Sequence, residues 1–328
     1  MPPARPRINC SSRHQVNNNH NLNKAIVSTI AFYDAVGKVP LTRIELYKHL
    51  LRTGKEQVQI SFADFFKYLD YNTKGLLQYV SHYRGFYFLK NNPQGYARRI
   101  HAGKTGVKKW RIARNMAKII SLFPSVQMIG LTGSLALNNT HAKSDIDVLV
   151  VAKAGSIWTT RMLVSAAMHL CGRRRYGVRI ADRICLNHYI TDDALALQPK
   201  HLFSAHISAT LVPLFDRNGT AYRLLDQNTS LTNLYFPNFF TTPRLFHLKT
   251  VTRKQAAAHS LRSSLVEYML KTLQIRRIRR GVFTQGEGSI FNDKALVFHH
   301  PRPKNQEAMY LYKKNLKNLF TDYPHLDT

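Results

Sequence analysis

Two aspartates one residue apart, Asp145 and Asp147 in "SDIDVLVV", stand out in a chain with 18 acidic and 48 basic residues. The run is apolar and β-branched, which predicts a strand. Alternate strand residues share a face, so Asp145 and Asp147 point one way while Ile146, Val148 and Val150 face a core. Two carboxylates held this close repel unless a cation lies between them, and a hard divalent ion with oxygen ligands is the usual partner. Upstream, Gly133 and Ser134 follow a predicted strand "VQMIGLTGS" and precede a short predicted helix, "LALNN". Glycine lets a ligand approach the backbone, N–H groups at a helix start favour phosphate, and the Ser134 hydroxyl adds a hydrogen bond. A phosphate cradle and a metal pair are the two halves of a site for a nucleoside triphosphate.

The next predicted strand, "DRICLNHYI", offers Asn187 in its middle and Asp182 at its start. Strand parity puts these two on opposite faces, and an asparagine can ligate through its carbonyl but cannot act as a base. Asp192 and Asp193 lie just beyond the strand. Lys143, immediately before "SDID", and Arg161 in "WTTRM" read either as triphosphate contacts or as loop and surface cations. His188 reads as a core histidine; His299 and His300 are adjacent, so a strand would face them apart and they make no metal pair. Cys10, Cys171 and Cys185 are too few and too scattered for a disulfide framework or a zinc site, which leaves reduced thiols.

Together, "TGS" followed by "SDIDVLVV" resembles the nucleotidyltransferase family related to DNA polymerase beta. That family's signature is an apolar residue, Gly, Gly or Ser, a spacer, then Asp, an apolar residue, and Asp or Glu. The resemblance covers roughly residues 120 to 215. It implies transfer of a nucleoside monophosphate from an NTP to a hydroxyl, with pyrophosphate leaving. Mg²⁺ (or Mn²⁺) held by Asp145 and Asp147 would clamp the attacking and departing oxygens, and Gly133 and Ser134 would hold the triphosphate. Active members usually carry a third carboxylate on a neighbouring strand, and Asp182 and Asn187 are the candidates for its place. The alternative is a weak or inactive protein of the same fold acting as a nucleic-acid-binding regulator.

The 328 residues suggest more than one module. Helical spacing from Lys24 to Asp34, a second helix capped by Thr42, helices over "SFADFFKYL" and "KGLLQYVSHY", and a strand over "GFYFLKNN" resemble a winged helix. Residues 96–121 carry eight Lys or Arg and no acid alongside an apolar stripe, a basic amphipathic helix. The expected fold is α/β (α+β): a small mixed-sheet nucleotidyltransferase domain (96–220, with the basic helix), preceded by a disordered tail (1–23) and a winged-helix-like module (24–95). A basic, mostly helical C-terminal domain (221–328) follows, in which a joint at "YFPNFFTTP" precedes a long basic helix expected over "RKQAAAHSLRSSLVEYMLKTLQIRRIRRG", from Arg253 onward. A net charge of +30 favours a polyanionic partner, nucleic acid first, through basic surfaces. No apolar run approaches the roughly twenty residues a bilayer needs, and the first 23 residues lack a signal-peptide core. The expectation is a cytoplasmic protein without a membrane partner.

Overall fold

The computed structural model describes residues 10–53, 60–71, 76–90, 92, 95–241, 251–252, 264–280, 289–298 and 304–322. The chain forms two compact units. One comprises Met1–Pro93, Leu234–Thr242 and Met309–Thr328; the other comprises Gln94–Asn233 and Pro243–Ala308. Among the described residues no helix is long and apolar enough to cross a membrane.

The first unit opens with α1 (Cys10–Gly37), which starts well before Lys24 and so continues into the segment that composition assigns to a tail. Its period is read correctly: Ile26, Ile30 and Tyr33 are all buried. Thr42 ends β1 (Leu41–Thr42) and caps α2 (Arg43–Lys48). Its hydroxyl accepts from the Glu45 N–H at 3.3 Å, and its own N–H donates to the Glu45 carboxylate at 2.8 Å, a reciprocal capping box. Ser61 accepts from the Asp64 N–H at 3.1 Å and starts α3 (Phe62–Tyr71).

Where spacing predicts a helix over "KGLLQYVSHY", the described part ends in a strand, β2 (Val80–Tyr83). It pairs antiparallel with β3 (Phe86–Leu89). The two-residue link Arg84–Gly85 has φ of 47° and 83°, the left-handed pair that a tight hairpin needs, and this turn chemistry overrides the helical spacing before it. Sheet order is β1-β3-β2.

The expected joint at "YFPNFFTTP" instead belongs to this unit's core. Phe236 and Phe239 are buried, His49 packs against both rings, and the Asn238 amide donates to the Tyr47 carbonyl at 3.3 Å. Tyr312, on the closing helix Lys304–Asp322, meets Phe32 edge-on at 5.6 Å, and burial pushes its phenol up to about 12. The short apolar and aromatic runs that look like linker material are therefore core pieces supplied from far along the chain.

The second unit runs α4 (Gly95–Ile120), β4 (Val126–Leu131), α5 (Gly133–Ala136), β5 (Ile146–Ala152), α6 (Ile157–Leu170) and β6 (Ile184–Thr191). It continues with α7 (Leu202–Thr210), β7 (Val212–Asp216), α8 (Thr220–Gln227), α9 (Thr229–Tyr235), β8 (Val251–Thr252), α10 (Ser264–Arg280), β9 (Ile290–Phe291) and β10 (Ala295–Val297). Among the described residues the sheet order is β8-β7-β4-β5-β6-β10-β9. The β5/β6 and β7/β8 pairs are parallel and the others antiparallel, so the fold is α+β with a mixed sheet, as expected.

Ile146, Val148 and Val150 pack with Ile112, Trp158 and Ile278 on one face of the sheet; Leu149 and Val151 pack with Met128 and Leu224 on the other. Far from being a separate layer, α10 is tied to α6: the Glu267 carboxylate accepts from the N–H groups of Trp158 at 2.7 Å and Thr159 at 3.0 Å, at the positive end of that helix. The described residues of the long basic helix expected from Arg253 onward are Ser264–Arg280; the rest of it, and His299 and His300, lie outside the described residues.

His206, inside α7, is buried, and desolvation pushes its imidazole down to about 4. The unfolded chain keeps the ordinary value near 6.5, so below it the unfolded state binds a proton that the folded state refuses. Stability is therefore complete above about pH 6.5 and declines as pH falls toward about 4, by up to about 3 kcal/mol. Urea unfolding at pH 7 and pH 4.5 measures this, and His206→Gln should flatten the difference.

Candidate active site

All of β4 is buried, and it delivers the chain to Gly133, whose φ is 67°. The backbone there lies so near Asp147 that an added Cβ would collide with its Oδ2. The Thr132 N–H also donates to the Asp147 carbonyl at 3.0 Å. Glycine is required at this position both for the dihedral and for the approach. Gly133→Ala should thus cost about 1–3 kcal/mol, read as a lowered Tm, because neither the turn nor the Asp147 carboxylate has slack. Ser134 follows, half-buried, on the one-turn helix α5.

The loop from Leu137 to Asp145 is held by cations that α4 turns inward. Arg99 and Lys109 lie on that helix's buried stripe with Ala102, Gly106, Ala113 and Ala117. Arg99 donates to the Leu137 carbonyl at 2.6 Å. Lys109 is completely buried and donates to the carbonyls of Ala142 at 3.3 Å and Ser144 at 2.7 Å, and to Asp182 Oδ1 at 2.6 Å. Ser144 closes the loop on itself, its hydroxyl donating to the His141 carbonyl at 2.8 Å. Two of the eight cations of the basic helix therefore brace the loop that carries the aspartate pair, and Lys143 projects from it, exposed.

Asp145 is buried, Asp147 half-buried, and both lie on the sheet face of Leu149 and Val151. β5 and β6 pair in parallel with Asp147 opposite Cys185, but Leu149 is opposite His188, so β6 carries one extra residue between them. The bulge sets Leu186 and Asn187 against Val148 and reverses the parity beyond them. Ile184 and Tyr189 accordingly share one core although one number is even and the other odd.

The structure thus brings Cys185 to the pair. One ligand atom each from Asp145, Asp147 and Cys185 all lie within 4.8 Å of one another. Arg175 donates to Asp145 Oδ2 at 2.5 Å and to Cys185 Sγ at 3.4 Å. Burial pushes the Cys185 thiol well up, the charges of Asp147 and Asp145 push the same way, and Arg175 opposes them.

The remaining candidates stand elsewhere. Asp182, at φ 58°, precedes β6 and is ion-paired to Lys108 and Lys109 at 2.6 Å each. Burial raises its carboxyl, but the hydrogen bonds and charges of the two lysines outweigh that and hold it below the usual carboxylate range. The backbone carbonyl of Asn187 accepts from the Phe298 N–H at 2.9 Å. Arg161 sits on α6 with its guanidinium over the Phe298 ring at 4.7 Å and donates to Gln274 on α10. His188 is paired in register with Leu149 and Val297.

Sequence reasoning passed over Cys185, Arg175 and Lys109. The signal for Cys185 was present, since it lies two residues before Asn187 and one strand over from the aspartates. The signal for the two cations was not, because a basic run looks alike whether solvated or turned inward.

A family model described as Nucleotidyltransferase domain matches residues 113–165, from the last turns of α4 through β4, α5 and β5 into α6. No curated protein and no solved structure matches the chain.

Proposed function

We propose that the second unit is a nucleotidyltransferase of the polymerase-beta-related kind, moving a nucleoside monophosphate from an NTP to a hydroxyl with release of pyrophosphate. The observation that carries this reading is the close approach of the Gly133 backbone to Asp147, with Asp145 on the same face. Such an arrangement sets a glycine turn, whose backbone N–H groups can receive phosphate, against two carboxylates.

The donor set fits a divalent cation, since two carboxylates and a sulfur converge within 4.8 Å, with the Arg175 guanidinium bringing positive charge to them. A cation bound there, Mg²⁺ or Mn²⁺ by the family's habit, would neutralise the charge that develops on the phosphoryl oxygens. Asp145 and Asp147 would hold it, while Gly133 and Ser134 receive the triphosphate and exposed Lys143 reaches its outer charges. Arg175 would let go of Asp145 as the cation arrives. Asp182, committed to Lys108 and Lys109, would position the loop rather than accept a proton, and Asn187 and Arg161 have no part in our scheme.

A second reading is favoured by Arg175 on Asp145 and by the +30 charge: a nucleic-acid-binding regulator that does little chemistry. The β1-β3-β2 hairpin sheet behind three helices is our reason for retaining a winged-helix-like role for the first unit, although α3 carries Asp64 and Asp70 against Lys67. Incubation with each α-labelled NTP, a divalent cation, and pooled RNA, DNA and small metabolites separates the two. Label on an acceptor supports transfer; steeply salt-dependent nucleic-acid retention without label, unchanged in Asp145→Ala, supports the regulator.

A further inference from the structure

The ligand opposite Asp147 is a sulfur where the transferase signature calls for an oxygen. Asp145 and Asp147 are joined by Cys185 through the parallel register of β5 and β6, which then skips past Leu186 and Asn187 before pairing Leu149 with His188. The other acid near the start of β6, Asp182, is held by two lysines. Asp145 and Cys185 are 7% and 6% exposed and Asp147 is half-buried, so two of the three donors are shielded from bulk water and the third is open to it. A cation already bridges them in the form of the Arg175 guanidinium, which touches an Asp145 oxygen and the Cys185 sulfur together.

We propose that Asp145, Asp147 and Cys185 form a three-ligand site for a divalent cation of the borderline-soft class, such as Zn²⁺, Co²⁺ or Cd²⁺, in preference to Mg²⁺. The proposal rests on the transferase reading for placing a cation between the two aspartates, and it adds the third ligand and the class of ion. A small hard ion such as Mg²⁺ takes oxygen donors in near-octahedral geometry and gains little from sulfur, whereas thiolate selects the softer members of the series. At tetrahedral bond lengths of about 2.0–2.3 Å, oxygen and sulfur ligands stand roughly 3.5 Å apart. Donors within 4.8 Å need only side-chain rotation to close on such an ion. As the sulfur–metal bond forms, the thiol proton passes to solvent and Arg175 leaves Asp145. Three protein ligands would leave such an ion able to take a phosphate oxygen or a water as well.

The test is Co²⁺ titrated into the full chain carrying Cys10→Ser and Cys171→Ser, which leaves Cys185 as its single thiol. Expected are a near-ultraviolet sulfur-to-cobalt charge-transfer band, its loss in Cys185→Ser, and Cd²⁺ affinity at least about tenfold weaker in that variant. In Cys185→Asp the preference should reverse, with Mg²⁺ binding gained and Cd²⁺ binding lost. Co²⁺ bound without the band, or Cd²⁺ affinity left unchanged by Cys185→Ser, overturns the proposal. It leaves the transferase reading standing provided Asp145→Asn removes the bound ion. A cobalt–sulfur band with no NTP label on any acceptor has the opposite meaning: the site holds and the transferase reading falls. No ion bound under any condition overturns both.

Discussion

Asp145→Asn and Asp147→Asn should each lower nucleotidyl transfer by about 10²–10³-fold while the protein stays folded. The amide fills the volume of the carboxylate, and relief of repulsion between two like charges on one face offsets the lost contacts. In Asp145→Asn the Arg175 guanidinium loses its ion-pair partner, but that side chain is 38% exposed and water can solvate it, so thermal unfolding should shift little. The chemical cost is of another order, because a neutral amide does not bring the charge with which a carboxylate holds a divalent cation against the triphosphate. Single-turnover transfer from an α-labelled NTP, with unfolding followed in parallel, reads both sides. A variant that keeps full transfer would remove the aspartates from the reaction.

Lys109→Met is expected to do the reverse, injuring the fold first and activity through it. The ammonium is wholly buried and satisfies two carbonyls and Asp182, so an apolar replacement leaves the Ser144 oxygen with only the Asp182 N–H at 3.2 Å, gives the exposed Ala142 oxygen back to solvent, and takes one of two lysines from Asp182. A loss of about 1–3 kcal/mol follows. Asp182 retains Lys108, 72% exposed, and Lys108→Ala should cost less than about 0.5 kcal/mol by comparison. The carbonyls that lose the ammonium belong to the residues just before Asp145, so the loop should shift and transfer fall by a further ~10²-fold in the fraction that remains folded. Asp182 sets the acid limit of this brace. Its carboxyl lies below the ordinary value, so its contribution is present above about pH 3.9 and is lost as pH drops through the lower folded-state value. Denaturant unfolding of the Lys109 and Lys108 variants decides whether the burial argument holds.

What could be read from the residues was what is local. The strand at "DIDVLVV", the facing of its two acids, the Gly133 turn and the Thr42 cap all depend on neighbours a few positions away, and period and turn chemistry find them. The β2–β3 hairpin escaped because two left-handed residues reversed the chain inside a stretch with helical spacing. The residue opposite Asp147 escaped because register is a tertiary matter: one additional residue in β6 inverts every facing after it, and nothing in "RICLNHYI" marks where it goes. Lys109 and Arg175 escaped for an electrostatic reason. A lysine is expected to be solvated, and only a converging set of carbonyls from residues 142 and 144 makes its burial tolerable.

The discontinuous make-up of the first unit also orders events on the ribosome. The ring of Phe32 waits for Tyr312, and the carbonyl of Tyr47 waits for Asn238. Emerging amino-terminal helices must therefore persist half-assembled, apolar surface showing, until Asn238 and Tyr312 have been made. Residues 94–233 supply the central strands of the other sheet in one uninterrupted stretch, so that sheet can begin to condense while its predecessor is still waiting.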